Sequence, residues 1–217
     1  RRNYDLAKAQ FNRKYYIIGS KYEDEYEENR YDIFPEMFAR NVISTGFIWD
    51  RDLSHLYGKD WNTINKWIEK NVPSNIATDS AKRTLRFFLN IKPGDIIAIK
   101  SHGQYGNLTI IAYAEVKSSE GKVYEFDGYY YPKGLGHIIN VEFLDTDLNI
   151  STGLSYGQTI HHITPGAKQG HFEKIFGTLS SIELEDQFFE SDEFILDEDF
   201  TVPESRINEK SFETTTR

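Results

Sequence analysis

From residue 95 onward the apolar residues recur at every second position instead of every 3.6, and this change of period restricts the fold more than any other feature. The turn Lys92-Pro93-Gly94-Asp95 opens the stretch, with Pro and Gly in the two positions that favour them in a β-turn. DIIAIKS (95–101), NLTIIAYAEV (107–116), KVYEFDGYYY (122–131), HIINVEFL (137–144) and GQTIHHI (157–163) follow, separated by Gly, Asn, Ser or Pro. Each reads as a strand. KYYIIGS (14–20), β-branched and aromatic, is a sixth. Strands paired in sequence through short loops give a meander whose edges must be hidden. The expected architecture is an α/β (α+β) fold, a mixed β-barrel of about six strands, closed or nearly closed, with helices between the first and second strands.

Two helices fill that interval. KDWNTINKWIEKNV offers Asp60 as N-cap and places Trp61, Ile64 and Ile68 on one face, the spacing of an amphipathic helix. A second helix starts at a Thr78 or Asp79 cap, with Ala81, Leu85, Phe88 and Leu89 on one side and Lys82, Arg83 and Arg86 on the other. KYEDEYEENRYD (21–32) mixes acids and tyrosines without a clean period and reads as a loop or short helix leading to a turn at Pro35. AKQGHFEKIFG (167–177) predicts a last short helix capping the barrel.

Composition supports one sizeable core: 14 Tyr, 15 Phe and 3 Trp in 217 residues can each bury roughly 150 to 250 Å². The net charge of −9 is unevenly spread. Residues 181–217 hold twelve acids against Arg206, Lys210 and Arg217, which leaves 22 of the 34 acids and 22 of the 25 bases in residues 1–180. The first part is therefore neutral overall, and a polyanionic partner is not excluded for it. Expected boundaries are a leader over 1–13, one domain over 14–180, and an acidic tail over 181–217. That tail reads as a linker, an arm packed on its own domain, or the start of a further module. Absence of cysteine rules out disulfides and thiolate metal sites and fits a cytoplasmic location. Apolar runs stop well short of the roughly 18 residues a membrane span needs. The chain opens Arg1-Arg2 without an initiator Met and reads as a piece of something longer.

Motifs for catalysis fail on inspection. Gly153-Leu154-Ser155-Tyr156-Gly157 matches a nucleophile elbow literally, yet a strand follows it where an elbow needs a helix. Asp145-Thr146-Asp147-Leu148-Asn149 begins like a calcium loop, but Ile150 and Tyr156 stand where Gly and Glu are required. The six histidines lack the spacings that set two imidazoles on one face. The sequence points to no enzyme, no cofactor and no metal. Thr45-Gly46-Phe47-Ile48-Trp49-Asp50 is the remaining signal, because an exposed indole stacks on a nucleobase and a neighbouring carboxylate can read its edge.

KYYIIGS, the helix WNTINKWIEKNV, the helix running into IKPGDIIAIKS, and IIAYAEV occur in that order over residues 14–165. This arrangement resembles the PUA-like superfamily and, within it, the EVE and YTH-type domains. The resemblance implies a reader that holds a flipped, often methylated, base in an aromatic cage, as in restriction proteins where such a domain precedes an AAA+ ATPase. Carried over by position, the cage draws on Tyr16, Ser20 and Tyr22, then Phe47, Trp49 and Asp50, then Ser101 and His102. Tyr57 and Trp61 stand in for a second cage aromatic, and residues 21–58 are longer than in compact members.

Phosphate contacts are expected from Arg51, Lys82, Arg83, Arg86 and Lys100. The expected function is thus a nucleic-acid binding module that recognises a modified base in DNA, part of a larger defence protein with a fused or associated ATPase or nuclease. The alternative is a protein-interaction module on the same barrel, the acidic tail docking a partner.

Overall fold

The computed structural model describes residues 13–23, 30–129 and 132–179. In chain order these form β1 (Tyr15–Gly19), β2 (Lys21–Glu23), β3 (Arg30–Asp32), α1 (Phe34–Ala39), β4 (Val42–Thr45) and a 3-10 turn (Ser54–Leu56). After them come α2 (Trp61–Asn71), α3 (Asp79–Phe88), β5 (Ile96–His102), β6 (Thr109–Val116), β7 (Tyr124–Gly128), β8 (Gly136–Asp145), β9 (Ile150–Ser151) and β10 (Ile160–Ile163). A final helix, α4, covers 171–179. Residues 1–12 of the expected leader (1–13) and the whole of the expected acidic tail (181–217) lie outside the described residues. Lys14 N–H donates to Asp95 Oδ1 at 2.9 Å and Arg13 pairs with Glu115 at 3.6 Å, so the folded unit already includes Arg13.

Alternation along β1 sorts side chains into two cores. Tyr16 and Ile18 enter a large core with Ile97, Ile99, Ala112 and Ala114, which α2 and α3 cover with Ile64, Ile68, Ala81, Leu85 and Phe88. Ile17 faces the other way, into a smaller core with Ala98, Ile110 and Tyr113 that Ile175, Phe176 and Leu179 of α4 close. The apolar helix faces expected from periodicity are the buried ones. Their caps form as the residue types dictate: Asp60 accepts from Thr63 N–H at 3.0 Å and Thr78 Oγ1 from Ala81 N–H at 3.2 Å, contacts worth about 1 kcal/mol each.

The sheet runs β10-β1-β5-β6-β8-β4, with β7 on β8 and β9 on β6. All neighbours are antiparallel except β1 and β5, which are parallel and so require the long crossover through β2, β3, α1, β4, α2 and α3. Both edges of β8 are used. Asn140 N–H donates to Val123 O and its carbonyl accepts from Lys117, whereas Val141 N–H donates to Asn41 O on the far side. Hence β6 and β7 follow one another along one edge and β4 lies on the other. Register shifts at Ile99/Lys100 in β5 and Tyr113/Ala114 in β6 help the sheet curl.

The result is a curled, mostly antiparallel half-barrel, and among the described residues β4 and β10 do not pair. The expected closure is corrected accordingly: α2 and α3, rather than strand pairing, cover the face of the sheet that carries the larger core. Three further expectations change. The two ends of the acidic stretch that are described, Lys21–Glu23 and Arg30–Asp32, are strands that pair antiparallel, Lys21 with Asp32 and Tyr22 with Tyr31. Pro35 sits in the first turn of α1, where its missing N–H costs nothing. The meander is also broken, since β6 pairs with β8 and β9 rather than with β7. Among the described residues no helix is long and apolar enough to cross a membrane.

Candidate nucleic-acid interface

Because β1 and β5 are parallel, with Gly19 beside Lys100, the residues that follow them leave the sheet at the same end. Ser20 N–H donates to Lys100 O at 3.0 Å, and the Ser20 side chain is fully buried. β2 then carries Tyr22 to the end of β4. Its ring occupies the space a Cβ on Gly46 would need, so only glycine admits this contact. Ser44 and Thr45, just before Gly46, are each 3% exposed. Ser20 Oγ, Ser44 Oγ and Thr45 Oγ1 have no hydrogen-bond partner among the described residues. One end of the half-barrel thus combines three buried hydroxyls with the rings of Tyr22 and Trp49, the latter 40% exposed.

The segment after β4 is held in place from β8. Gly136 has φ +73°, and a Cβ there would come within 2.8 Å of Thr45 O, so β4 and β8 meet backbone to backbone. Next to it His137, fully buried, bridges two elements: Nε2 lies 3.1 Å from Ile48 O and Nδ1 2.6 Å from the Tyr124 hydroxyl. A carbonyl only accepts, so Nε2 carries the hydrogen and Nδ1 accepts from Tyr124. Burial holds His137 below the ordinary histidine range, against the pull of the Ile48 and Phe47 carbonyls and of Asp52 and Asp50, in keeping with a neutral ring. Ile48 itself has φ +58°, a left-handed conformation that costs a β-branched residue about 1 to 3 kcal/mol. The His137 hydrogen bond and the burial of Ile48 keep it there, and that sets the direction of Trp49.

Of the residues expected in the cage, Ser20, Tyr22, Phe47, Trp49 and Asp50 gather around this end, with Phe47 partly buried against the large core and Asp50 facing Arg51 at 3.5 Å. Ser101 and His102 extend from the adjacent strand, where His102 Nε2 is 3.3 Å from Lys21 Nζ. Three residues are placed elsewhere. Tyr16 is 2% exposed, packed against Phe87 and His162, because position 16 faces the large core and points away from the strand end. Tyr57 donates to Ile91 O at 2.6 Å and stacks on Tyr124, and burial pushes its phenol up to about 12. Trp61 lies on α2 beneath the Arg86 guanidinium, 5.7 Å from its ring centre.

The expected phosphate contacts are mostly engaged within the fold. Lys82 pairs with Glu69 at 3.3 Å, Arg86 lies over Trp61 and Phe87, and Arg51 is beside Asp50. Lys100 is corrected outright: it is 6% exposed and donates to Tyr156 O and Gln158 O, and burial pulls its ammonium down to about 8. Arg83 remains exposed on α3. Ser155 sits in a loop, where its hydroxyl accepts from Gly106 N–H at 2.6 Å, so the Gly153–Gly157 pentapeptide is no nucleophile elbow.

Sequence reasoning missed Ser44, Tyr124 and His137, and took Thr45 only as the start of the motif that holds Trp49. Only the dipeptide Gly136-His137 before an apolar strand hinted at a close approach. No protein-family model matches the chain, and no curated protein matches it.

Proposed function

We propose that the domain is a nucleic-acid binding module that takes a flipped, modified base of DNA at the end where Ser20, Tyr22 and the Gly46–Asp50 segment meet. In this reading it is the recognition part of a larger restriction or defence protein. The three buried hydroxyls without partners carry the reading. Each costs the fold about 1 to 3 kcal/mol while unpaired, and buried polar groups are otherwise almost always satisfied. A hydroxyl both donates and accepts, so it suits the mixed edge of a nucleobase, while Tyr22 and Trp49 supply ring faces for stacking. Flipping costs a few kcal/mol, which newly satisfied hydroxyls and stacking offset together.

A protein-interaction module is the second reading, favoured by one observation. Phe38, 47% exposed, stacks on Phe34 at 6.2 Å and meets Phe143 edge-on at 5.4 Å, an aromatic cluster partly open to solvent. Trp49→Ala separates the two. The reader should lose roughly 1 to 3 kcal/mol of DNA binding, mostly its base preference, with the melting temperature held. Arg83→Ala should instead weaken all sequences alike and flatten the salt dependence. If Trp49→Ala leaves affinity and preference untouched, the base is not held here.

A further inference from the structure

Beyond Ser101 and His102 the chain makes a tight turn and returns as β6. Tyr105 and Gly106 have φ +53° and +75°, and Asn107 N–H donates to Gln104 O at 3.0 Å. Two left-handed central residues closed by that bond make a type I′ turn, whose first central position favours Asn, Asp or Gly. Tyrosine is a poor choice there on backbone grounds, and its side chain returns nothing to the fold, being 91% exposed. The turn is nevertheless well braced. Gly106 N–H donates to Ser155 Oγ at 2.6 Å, Leu108 N–H to Leu154 O at 3.0 Å, and Tyr156 N–H to Gly103 O at 2.6 Å. A large ring is therefore displayed on a fixed support, at the end of the half-barrel where Ser20 leaves β1.

The surroundings identify what such a ring would meet. The chain holds 34 acids against 25 bases, yet residues 96–114 and 148–172, which build the β5-β6 turn, its bracing loop and β10, contain no Asp or Glu. They contain Lys100, Lys168 and four of the six histidines, His102, His161, His162 and His171. Lys168 Nζ stands 5.4 Å over the Tyr156 ring, beside the turn. With Lys100 buried and His161 and His162 held neutral by burial, the turn is an exposed aromatic beside the exposed Lys168, with no carboxylate in the segments that build it. That combination lets a ring stack on nucleobases while a cation meets the phosphates.

We propose that Tyr105 is a stacking wedge, entering the base stack of bound DNA next to the base that the Ser20–Tyr22–Trp49 end receives. This rests on the reading above that this end takes a base. Fluorescence anisotropy with fluorescein-labelled duplexes, modified and unmodified, tests it on the wild type, Tyr105→Ala, Tyr105→Phe and Tyr105→Asn, the last suited to the left-handed backbone. Ala and Asn should weaken binding roughly 5- to 150-fold on both duplexes, Phe should retain it, and the ratio between duplexes should stay. Trp49→Ala should do the reverse and reduce the ratio. Wild-type affinity in both Tyr105→Ala and Tyr105→Asn would overturn the wedge and leave the reader standing. Loss of folding in Tyr105→Asn would overturn it too, since a wedge is dispensable to the fold. A wild-type protein that binds no DNA would remove the reader reading and the wedge with it.

Discussion

Replacing His137 with leucine should lower the stability of the domain by roughly 2 to 4 kcal/mol, because the buried Tyr124 hydroxyl loses its partner and the Ile48 carbonyl loses the shorter of its two bonds. The Tyr124 hydroxyl depends on that ring, the Ile48 carbonyl would keep only Arg51 N–H at 3.3 Å, and leucine can serve neither group. Without the His137 bond only the burial of Ile48 and the longer Arg51 N–H bond to its carbonyl oppose relaxation from the left-handed conformation, so Trp49 should lose its fixed direction and base preference should weaken with it. Tyr124→Phe removes only one bond and should cost about 1 to 2 kcal/mol. A double-mutant cycle should show the two effects to be non-additive. Urea midpoints report the stability and anisotropy the preference. A His137→Leu protein within about 0.5 kcal/mol of wild type would mean that the bridge is not what holds the segment.

Acid should destabilise the domain early, from just below pH 6.5. Burial holds His137, His161 and His162 below the ordinary histidine range, His161 to about 4 with the Lys100, Lys168 and Arg83 charges adding to the effect. The unfolded chain then takes up protons at a pH where the folded one does not, so stability is present above 6.5 and is lost as the pH falls toward 4. With one or two protons taken up on unfolding the slope is roughly 1 to 3 kcal/mol per pH unit. Asp95, raised by burial, opposes this at the acid end because the folded state protonates it first. Lys100, lowered to about 8, adds stability as the pH rises from there toward its unfolded value. Midpoints that stay flat between pH 7 and pH 5 would contradict the neutral assignment of the buried imidazoles.

Periodicity and caps made most of the scaffold legible. The apolar spacing of α2 and α3, the caps Asp60 and Thr78, and the six expected strands all reflect burial on one face at a time, which a linear pattern records. β4 was not legible because Val42, Ile43, Ser44 and Thr45 are all buried, so no alternation marks it. The β2-β3 pair was hidden among acids, although Lys21 opposite Asp32 and Tyr22 opposite Tyr31 are the cross-strand pairs such strands would use. At the candidate site, Trp49 stands out in the sequence as an aromatic near a strand end, whereas Ser20 and Tyr22 come in only through the family resemblance. His137 enters by neither route, since its role is set by Ile48, 89 positions away. Lys100 misled for a related reason: a lysine in a strand reads as exposed until the carbonyls of Tyr156 and Gln158, brought in by a distant loop, are seen to receive it.

The most direct measurement is the binding of matched duplexes that differ at one base, adenine against 6-methyladenine and cytosine against 5-methylcytosine or its hydroxymethyl form, at two salt concentrations. Phosphate contacts alone give affinity that falls with salt and ignores the base. A base held by the Ser20, Ser44 and Thr45 hydroxyls and stacked by Tyr22 and Trp49 adds a preference that salt does not erase. The expected result is tighter binding of one modified duplex by about tenfold or more, a difference of about 1.4 kcal/mol, at both salt concentrations. Equal binding of every duplex, or no binding even in low salt, would contradict the account.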